Sequence, residues 1–403
     1  PADFLVGDSV EVSIAIASLL ARDPEFSQFR LVRPTMRVLV DDRGRIDFAA
    51  IDGRLGREIE RVRAELEQAE GADGDAPEPA RSPEYARFGT VAIESGIIEF
   101  VGPYAQEPER ITAVNGIVSW PRFDGRLSAS LDGIWRGAAF TFRTEIDEAL
   151  RLLAGSIVDV RQDFTSDVLT YSFDGKLGVG TEPFVEGAVA LETPSPRQAL
   201  DWIGAGIKTG GAVGNVALSG IMRGDANKVR LENLEIDMQG SDGTGVLEIA
   251  VGEAGRPSVT ATLDFAEMDL LGFLSAFTGL PKTRDALVDP VARDILRQLE
   301  VDLRLSAASA TAGALRFGNV ATVTQIRKGG AMFEMPDATA YGGRVQAELK
   351  LVPEGDMLAG TLGLSLTDVD SAAAADALQI AGLFPRGLAS GTLQARASMD
   401  RWG

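Results

Sequence analysis

Strict alternation of apolar and polar residues recurs along almost the whole chain. It dictates β-structure, because successive side chains of a strand point to opposite faces, whereas a helix needs a period near 3.6. The stretch GRVQAELKLV puts Val345, Ala347, Leu349 and Leu351 on one face and Arg344, Gln346, Glu348 and Lys350 on the other. MLAGTLGLSL repeats the pattern, with Leu358, Leu362, Leu364 and Leu366 against Ala359, Thr361 and Ser365. Residues 127–131, 138–142, 169–173, 229–231, 247–251, 259–265 and 301–305 alternate in the same way. Each reads as a strand with one buried face, so the chain is mainly β.

The breaks between these segments carry turn chemistry: Asp41-Asp42-Arg43-Gly44, Phe123-Asp124-Gly125, Phe173-Asp174-Gly175, Arg223-Gly224-Asp225, Ser241-Asp242-Gly243 and Pro353-Glu354-Gly355-Asp356. Gly, Asp and Pro there point to a succession of hairpins, and the 45 glycines suit turns and the bends of a curved sheet. The clearest helix is Leu55 to Glu70, whose thin apolar stripe of Leu55, Ile59, Val62 and Leu66 predicts a largely solvated element. Gly71 to Glu84 is rich in Pro, Gly and acid and reads as a flexible linker. Shorter helical patterns occupy 147–153, 195–203, 269–277, 288–300 and 371–378. This divides the chain into an N-terminal β segment (1–53), a charged helix with its linker (54–84), a central β region (85–300) and a C-terminal β region (301–403). A strand-then-helix unit repeats at about 100 residues, placing Leu263, Phe265, Met268 and Asp269 opposite Leu364, Leu366, Val369 and Asp370.

Composition removes most catalytic equipment. With no His and no Cys there is no Ser-His-Asp or Cys-His system, no zinc site that needs either residue, no disulfide and no iron–sulfur cluster. A net charge of −20 repels phosphate backbones, so nucleic acid is not an expected partner. Lys208-Thr209 lacks the preceding Gly of a phosphate-binding loop, Gly175–Gly180 reads as a hairpin, and Arg223-Gly224-Asp225 reads as a turn. The acidic pairs Asp41-Asp42 and Asp368 with Asp370 lack calcium-loop spacing. No cofactor, metal site or enzymatic activity is expected.

The collective pattern is more informative. Roughly 16 to 20 strands each offer one apolar face, and the helices are too few to cover that area. Two sheets packed face to face would cover it without any ligand. A single curved sheet would instead hold an apolar ligand on its concave face.

Val10 to Phe48, VEVSIAIASLLARDPEFSQFRLVRPTMRVLVDDRGRIDF, resembles the AsmA family of bacterial envelope proteins. The likeness lies in a strand leading to Leu19-Leu20, a strand ending in Leu31 to Pro34, and a strand closed by Asp41 to Gly44. VAIESGIIEFVG with ITAVNGIVSW, the hairpin Gly125 to Phe142, the Tyr341-Gly342-Gly343 hairpin and GLASGTLQARASM are similar to later family elements. The likeness is weakest from about 154 to 215. Family members begin with a membrane-spanning helix and a further strand-rich stretch, neither of which is in this sequence.

That resemblance, through the related bridge-like lipid transfer proteins, implies an elongated, curved antiparallel β-sheet forming an apolar groove, with a few short helices. It implies a periplasmic protein, anchored to the inner membrane by an N-terminal helix outside this sequence, which moves phospholipid between inner and outer membranes without catalysis. At about 4.8 Å per strand such a groove is on the order of 80 to 90 Å long. The expected partners are phospholipid acyl chains, together with inner- and outer-membrane proteins. The candidate lipid-contacting positions are Val259, Leu263, Val345, Leu349, Leu351, Leu362, Leu364 and Leu366. Each is alternatively a core residue under a helix or second sheet. A scaffold for outer-membrane protein or envelope assembly is the competing reading, and spatially paired carboxylates acting on polysaccharide a third.

Overall fold

The computed structural model describes residues 5–6, 9–14, 26–39, 53–70, 89–101, 109–180, 182–204, 214–238, 241–252, 255–270, 272, 296–297, 299–354, 357–380 and 386–399. Most of these lie in strands, and the fold is mainly β with few, mostly short helices. The chain divides into two compact units, Pro1–Val189 and Ala190–Gly403.

The first unit holds β1 (Leu5–Val6), β2 (Ser9–Ile14), β3 (Phe26–Val32), β4 (Thr35–Leu39), α1 (Gly53–Glu70), β5 (Gly89–Val101), β6 (Glu109–Trp120), β7 (Leu127–Trp135), β8 (Ala138–Ile146), α2 (Ala149–Leu153), β9 (Val158–Ser166) and β10 (Thr170–Gly178). A further strand, β11 (Phe184–Thr193), runs through the division. From β5 to β10 each strand pairs antiparallel with the next. Upstream, β3 and β4 lie end to end and parallel along β5. The break between them falls at buried Pro34, which has no N–H to donate. Arg33 N donates to Glu94 O at 2.8 Å and Ile97 N to Pro34 O at 2.7 Å, so hydrogen bonding carries on across the break.

The second unit holds α3 (Pro196–Ile203), β12 (Val216–Gly224), β13 (Lys228–Met238), β14 (Ser241–Val251), β15 (Pro257–Asp269), β16 (Glu300–Ala312), β17 (Leu315–Arg327), β18 (Gly330–Ala340), β19 (Gly343–Glu354), β20 (Met357–Asp370), α4 (Ser371–Ala377) and β21 (Leu388–Met399). Two antiparallel meanders, β12–β15 and β16–β21, meet at a parallel pairing of β15 with β16. The sheets are therefore mixed rather than purely antiparallel. Parallel neighbours need a long crossover: residues 40–88, which include α1, separate β4 from β5, and residues 270–299 separate β15 from β16.

Curvature comes from β-bulges. Register shifts between Ile93 and Gly96, Thr112 and Asn115, Leu231 and Leu234, Gly318 and Ala321, and Leu366 and Val369. Each interval contains a non-glycine residue at positive φ: Ser95, Ala113, Asn233, Asn319 and Asp368. A bulge bends its strand and raises local twist. A left-handed residue costs roughly 1–2 kcal/mol, and local hydrogen bonds offset it. Asn115 Oδ1 accepts from Ser95 N at 2.9 Å, and Ser390 Oγ accepts from Asp368 N at 2.9 Å.

Two segments expected as turns lie inside strands. Phe173-Asp174-Gly175 belongs to β10, because a Cβ on Gly175 would collide with the Glu186 and Gly187 backbone of β11, so glycine here permits close strand approach. Ser241-Asp242-Gly243 opens β14, and Gly243 leaves room for the Phe265 ring, which a Cβ would meet at 2.6 Å. The turns at Phe123–Gly125 and Asp225 form as expected. Asp41–Gly44 and the 71–84 linker lie outside the described residues.

Helix α1 is docked rather than largely solvated. Its stripe packs on Trp120, Phe123, Ala149, Leu150 and Ala154, with Ile59 and Val62 buried and Leu55 and Leu66 alongside. The strand-then-helix repeat is real at its second copy. Asp370 ends β20 and caps α4, accepting from Ala372 N at 2.9 Å and Ala373 N at 3.2 Å. Ser195 likewise caps α3 after β11, accepting from Gln198 N at 3.3 Å.

Candidate functional site

Residues directly opposite each other in paired strands point to the same face, so the register defines rows across each sheet. In the second unit one row runs Val229, Ile249, Val259, Val301, Ile326, Ala331, Leu351, Gly360, Ala397. The next runs Leu231, Leu247, Ala261, Leu303, Thr324, Phe333, Leu349, Leu362, Ala395. Neither contains a charged residue. Spanning β13 to β21 at about 4.8 Å per step, each row is roughly 38 Å long.

All eight positions singled out in the sequence share this face. Val259 and Leu351 stand in the first row, and Leu349 and Leu362 oppose each other in the second. Leu263 opposes Leu305, Leu364 opposes Ala347, and Val345 opposes Leu366. Their surroundings differ. Val345 is buried with Ala340 and Val369, against which Leu364, Leu366 and Ala374 of α4 pack. Leu263 is buried too. Val259, Leu349 and Leu351 are half-buried, and Leu362 is 41% exposed.

Burial is deepest over β15–β18, where Val301, Leu303, Ile326 and Phe333 are all buried; it is uneven toward β13, where Leu231 is buried, and fades toward β21. Ile249 is exposed on one side; on the other, Leu362 is opposite Ala395, and Leu393, opposite Leu364, is 56% exposed. The open part is thus a strip formed by Leu349, Leu351, Leu362 and Ala395, beyond the rows that α4 overlies, with Leu393 beside it at the β21 end of the Leu364 row. Leu393 escaped the sequence reading because its same-face neighbours two residues away are Gly391 and Ala395, so no alternation of large apolar residues marks that part of its strand.

The first unit has rows of the same kind. Leu31, Ile93, Gly116, Leu131, Phe142, Phe164 and Tyr171 form one; Phe29, Val91, Val118, Ala129, Thr144, Gln162 and Phe173 form another. Aromatic residues dominate its β8–β10 end, with Phe140 and Phe164 stacked at 5.4 Å between centroids. Burial raises the Tyr171 phenol above its usual pKa, so it remains neutral.

The opposite faces carry cross-strand ion pairs. Glu99 accepts from both Arg37 at 3.2 Å and Arg110 at 3.0 Å, Arg230 and Lys228 share Glu248, and Arg327 meets Asp302. Exposed pairs of this sort contribute about 0–1 kcal/mol each; their main effect is to keep these faces in water. At the β7–β8 turn Glu109 accepts from Arg136 and from the Trp135 indole, both at 2.8 Å, and its pKa is lowered chiefly by the Arg136 hydrogen bond. Among the described residues no three acidic side chains cluster as a metal site, and no helix is long and apolar enough to cross a membrane. This arrangement can bind apolar matter along a strip.

No protein-family model, curated protein or solved structure matches the chain.

Proposed function

We propose that this chain is a non-enzymatic lipid-binding protein of the AsmA kind, which holds phospholipid acyl chains on its apolar sheet faces and passes them between the inner and outer membranes from the periplasm. The observation that carries this reading is the pair of uncharged rows across β13–β21, left open at Leu349, Leu351 and Leu362. The sequence likeness of Val10–Phe48 to that family supports it further. An acyl chain spans about half of the ~30 Å hydrocarbon thickness of a bilayer; the open strip across β19–β21 covers about 10 Å at ~4.8 Å per strand step, enough for part of one chain. Exposing the ~30 CH₂ groups of a two-chain lipid to water costs about 25 kcal/mol, and each group seated on the apolar strip offsets about 0.8 kcal/mol of that. Such a surface resembles the bilayer interior, so it need not hold its cargo tightly. Head groups stay in solvent, which suits a site without fixed charge.

Native mass spectrometry of the purified protein tests the reading, together with a photo-crosslinking side chain at Leu362. Copurified phospholipid and lipid crosslinks are expected. Protein free of lipid, with crosslinks to protein alone, would refute it.

A further inference from the structure

Among the described residues β21 is an outer strand of the second unit, hydrogen-bonded to β20 and to no other strand, and the one bulge in that pairing carries its extra residue on β20 rather than on β21. Nearly every described side chain on it is exposed. Natural edges are blunted by charge, proline or a bulge that turns the strand away. Leu388–Met399 has no proline, no acidic residue and one basic residue, Arg396. In a chain of net charge −20, this twelve-residue edge is a place where two copies can touch without opposing carboxylates.

We propose that β21 pairs antiparallel with β21 of a second copy of this chain, about a two-fold axis at Leu393. That register is self-complementary. Leu393 faces itself and Gly391 faces Ala395 on the apolar side, while Thr392 faces Gln394 and Ser390 faces Arg396 on the polar side. No like charges oppose, and the two arginines lie far apart. A two-fold axis perpendicular to the sheet keeps the same face of both copies on the same side, so the row containing Ala347, Leu364 and Leu393 runs on into its counterpart. Pairing covers the exposed Leu393 and satisfies the outward backbone groups of both edges. It is an isologous contact, and it closes at two copies. The inference stands independently of what the apolar strip carries, since it predicts an oligomeric state with or without lipid.

The absence of Cys makes the test clean. In the full chain Leu393→Cys supplies the only thiol, and directly opposed antiparallel residues have Cα atoms about 4.5–5.5 Å apart, within disulfide range. The mates in Ser390→Cys would sit roughly 20 Å apart at ~3.4 Å per residue. The expected result is a covalent dimer from Leu393→Cys under mild oxidation, none from Ser390→Cys, and wild-type sedimentation at twice the chain mass that halves in Leu393→Lys. Leu393→Lys is read only if its circular dichroism matches wild type; the cysteine pair needs no such condition. A wild-type monomer with no Leu393→Cys crosslink overturns the proposal, as do equal yields from both cysteines. A monomer whose β21 amides all resist hydrogen exchange also overturns it, since another strand then occupies the edge.

Discussion

Glutamate placed at Leu362 or at Val345 separates an open strip from a packed core. Both residues stand on the same face of adjacent strands. Val345 is 6% exposed and sits among Ala340, Val369 and Leu366. A carboxylate there loses its water without gaining a cation and costs several kcal/mol, a large part of a total stability of about 5–15 kcal/mol. Leu362 is 41% exposed, so replacing it removes somewhat over half of a leucine's burial, about 1 kcal/mol, and leaves the new charge in water. Leu362→Glu should thus lower the melting temperature by about 2–4 °C, whereas Val345→Glu should prevent cooperative folding. Lipid retention should respond in a different proportion. The exposed part of Leu362 is worth about 0.6–1.2 kcal/mol to an acyl chain, roughly three- to eightfold in affinity, before the cost of desolvating the carboxylate. Thermal melts by circular dichroism, paired with native mass spectrometry of copurified lipid, measure both. A Leu362→Glu protein that folds normally and keeps its full lipid complement would refute the placement of the ligand; one that fails to fold would make Leu362 core.

Other outcomes follow from single contacts. Ile326→Ala, at a residue with no exposed surface between Val301 and Ala331, should cost about 2–5 kcal/mol in urea denaturation. Gly187→Ala places a Cβ 2.5 Å from Asp174 O, so β10 and β11 must part; hydrogen exchange across 170–178 should accelerate. Asp370→Ala removes the α4 cap and should cost about 1 kcal/mol, with Asp370→Asn restoring most of it. Because the folded pKa of Glu109 is depressed, its contribution is complete above the usual glutamate range and is lost as pH falls through the folded value. Stability of Glu109→Gln should accordingly fall less steeply on acidification, as read by tryptophan emission.

The strands and their faces were legible because period-2 alternation is a local signal. The bulges were legible in principle as slips of phase: Val229 and Leu231 give way to Leu234 and Ile236 across Asn233, and Leu364 and Leu366 to Val369 across Asp368. Asp-Gly pairs misled at Gly175 and Gly243, where glycine answers a neighbour far along the chain rather than a turn. The docking of α1 was hidden for the same reason, since its stripe meets Trp120 and Leu150. Alternation put all eight candidate positions on one face, but cover is a long-range property. Nothing within GRVQAELKLV distinguishes Val345, buried beside the rows that α4 overlies, from the more open Leu349.

The parallel seam between β15 and β16 also orders events in time. Each meander on either side of it is built from sequence neighbours, joined by short connections except for the α4 segment between β20 and β21, so it can form early at small loop-closure cost. The seam itself must await the crossing of residues 270–299. This topology predicts that the two halves of the second unit dock late in folding. Ser258–Asp269 and Glu300–Thr311, the segments that meet there, are the surfaces left bare until it happens, and the ones a chaperone or an aggregating neighbour would encounter.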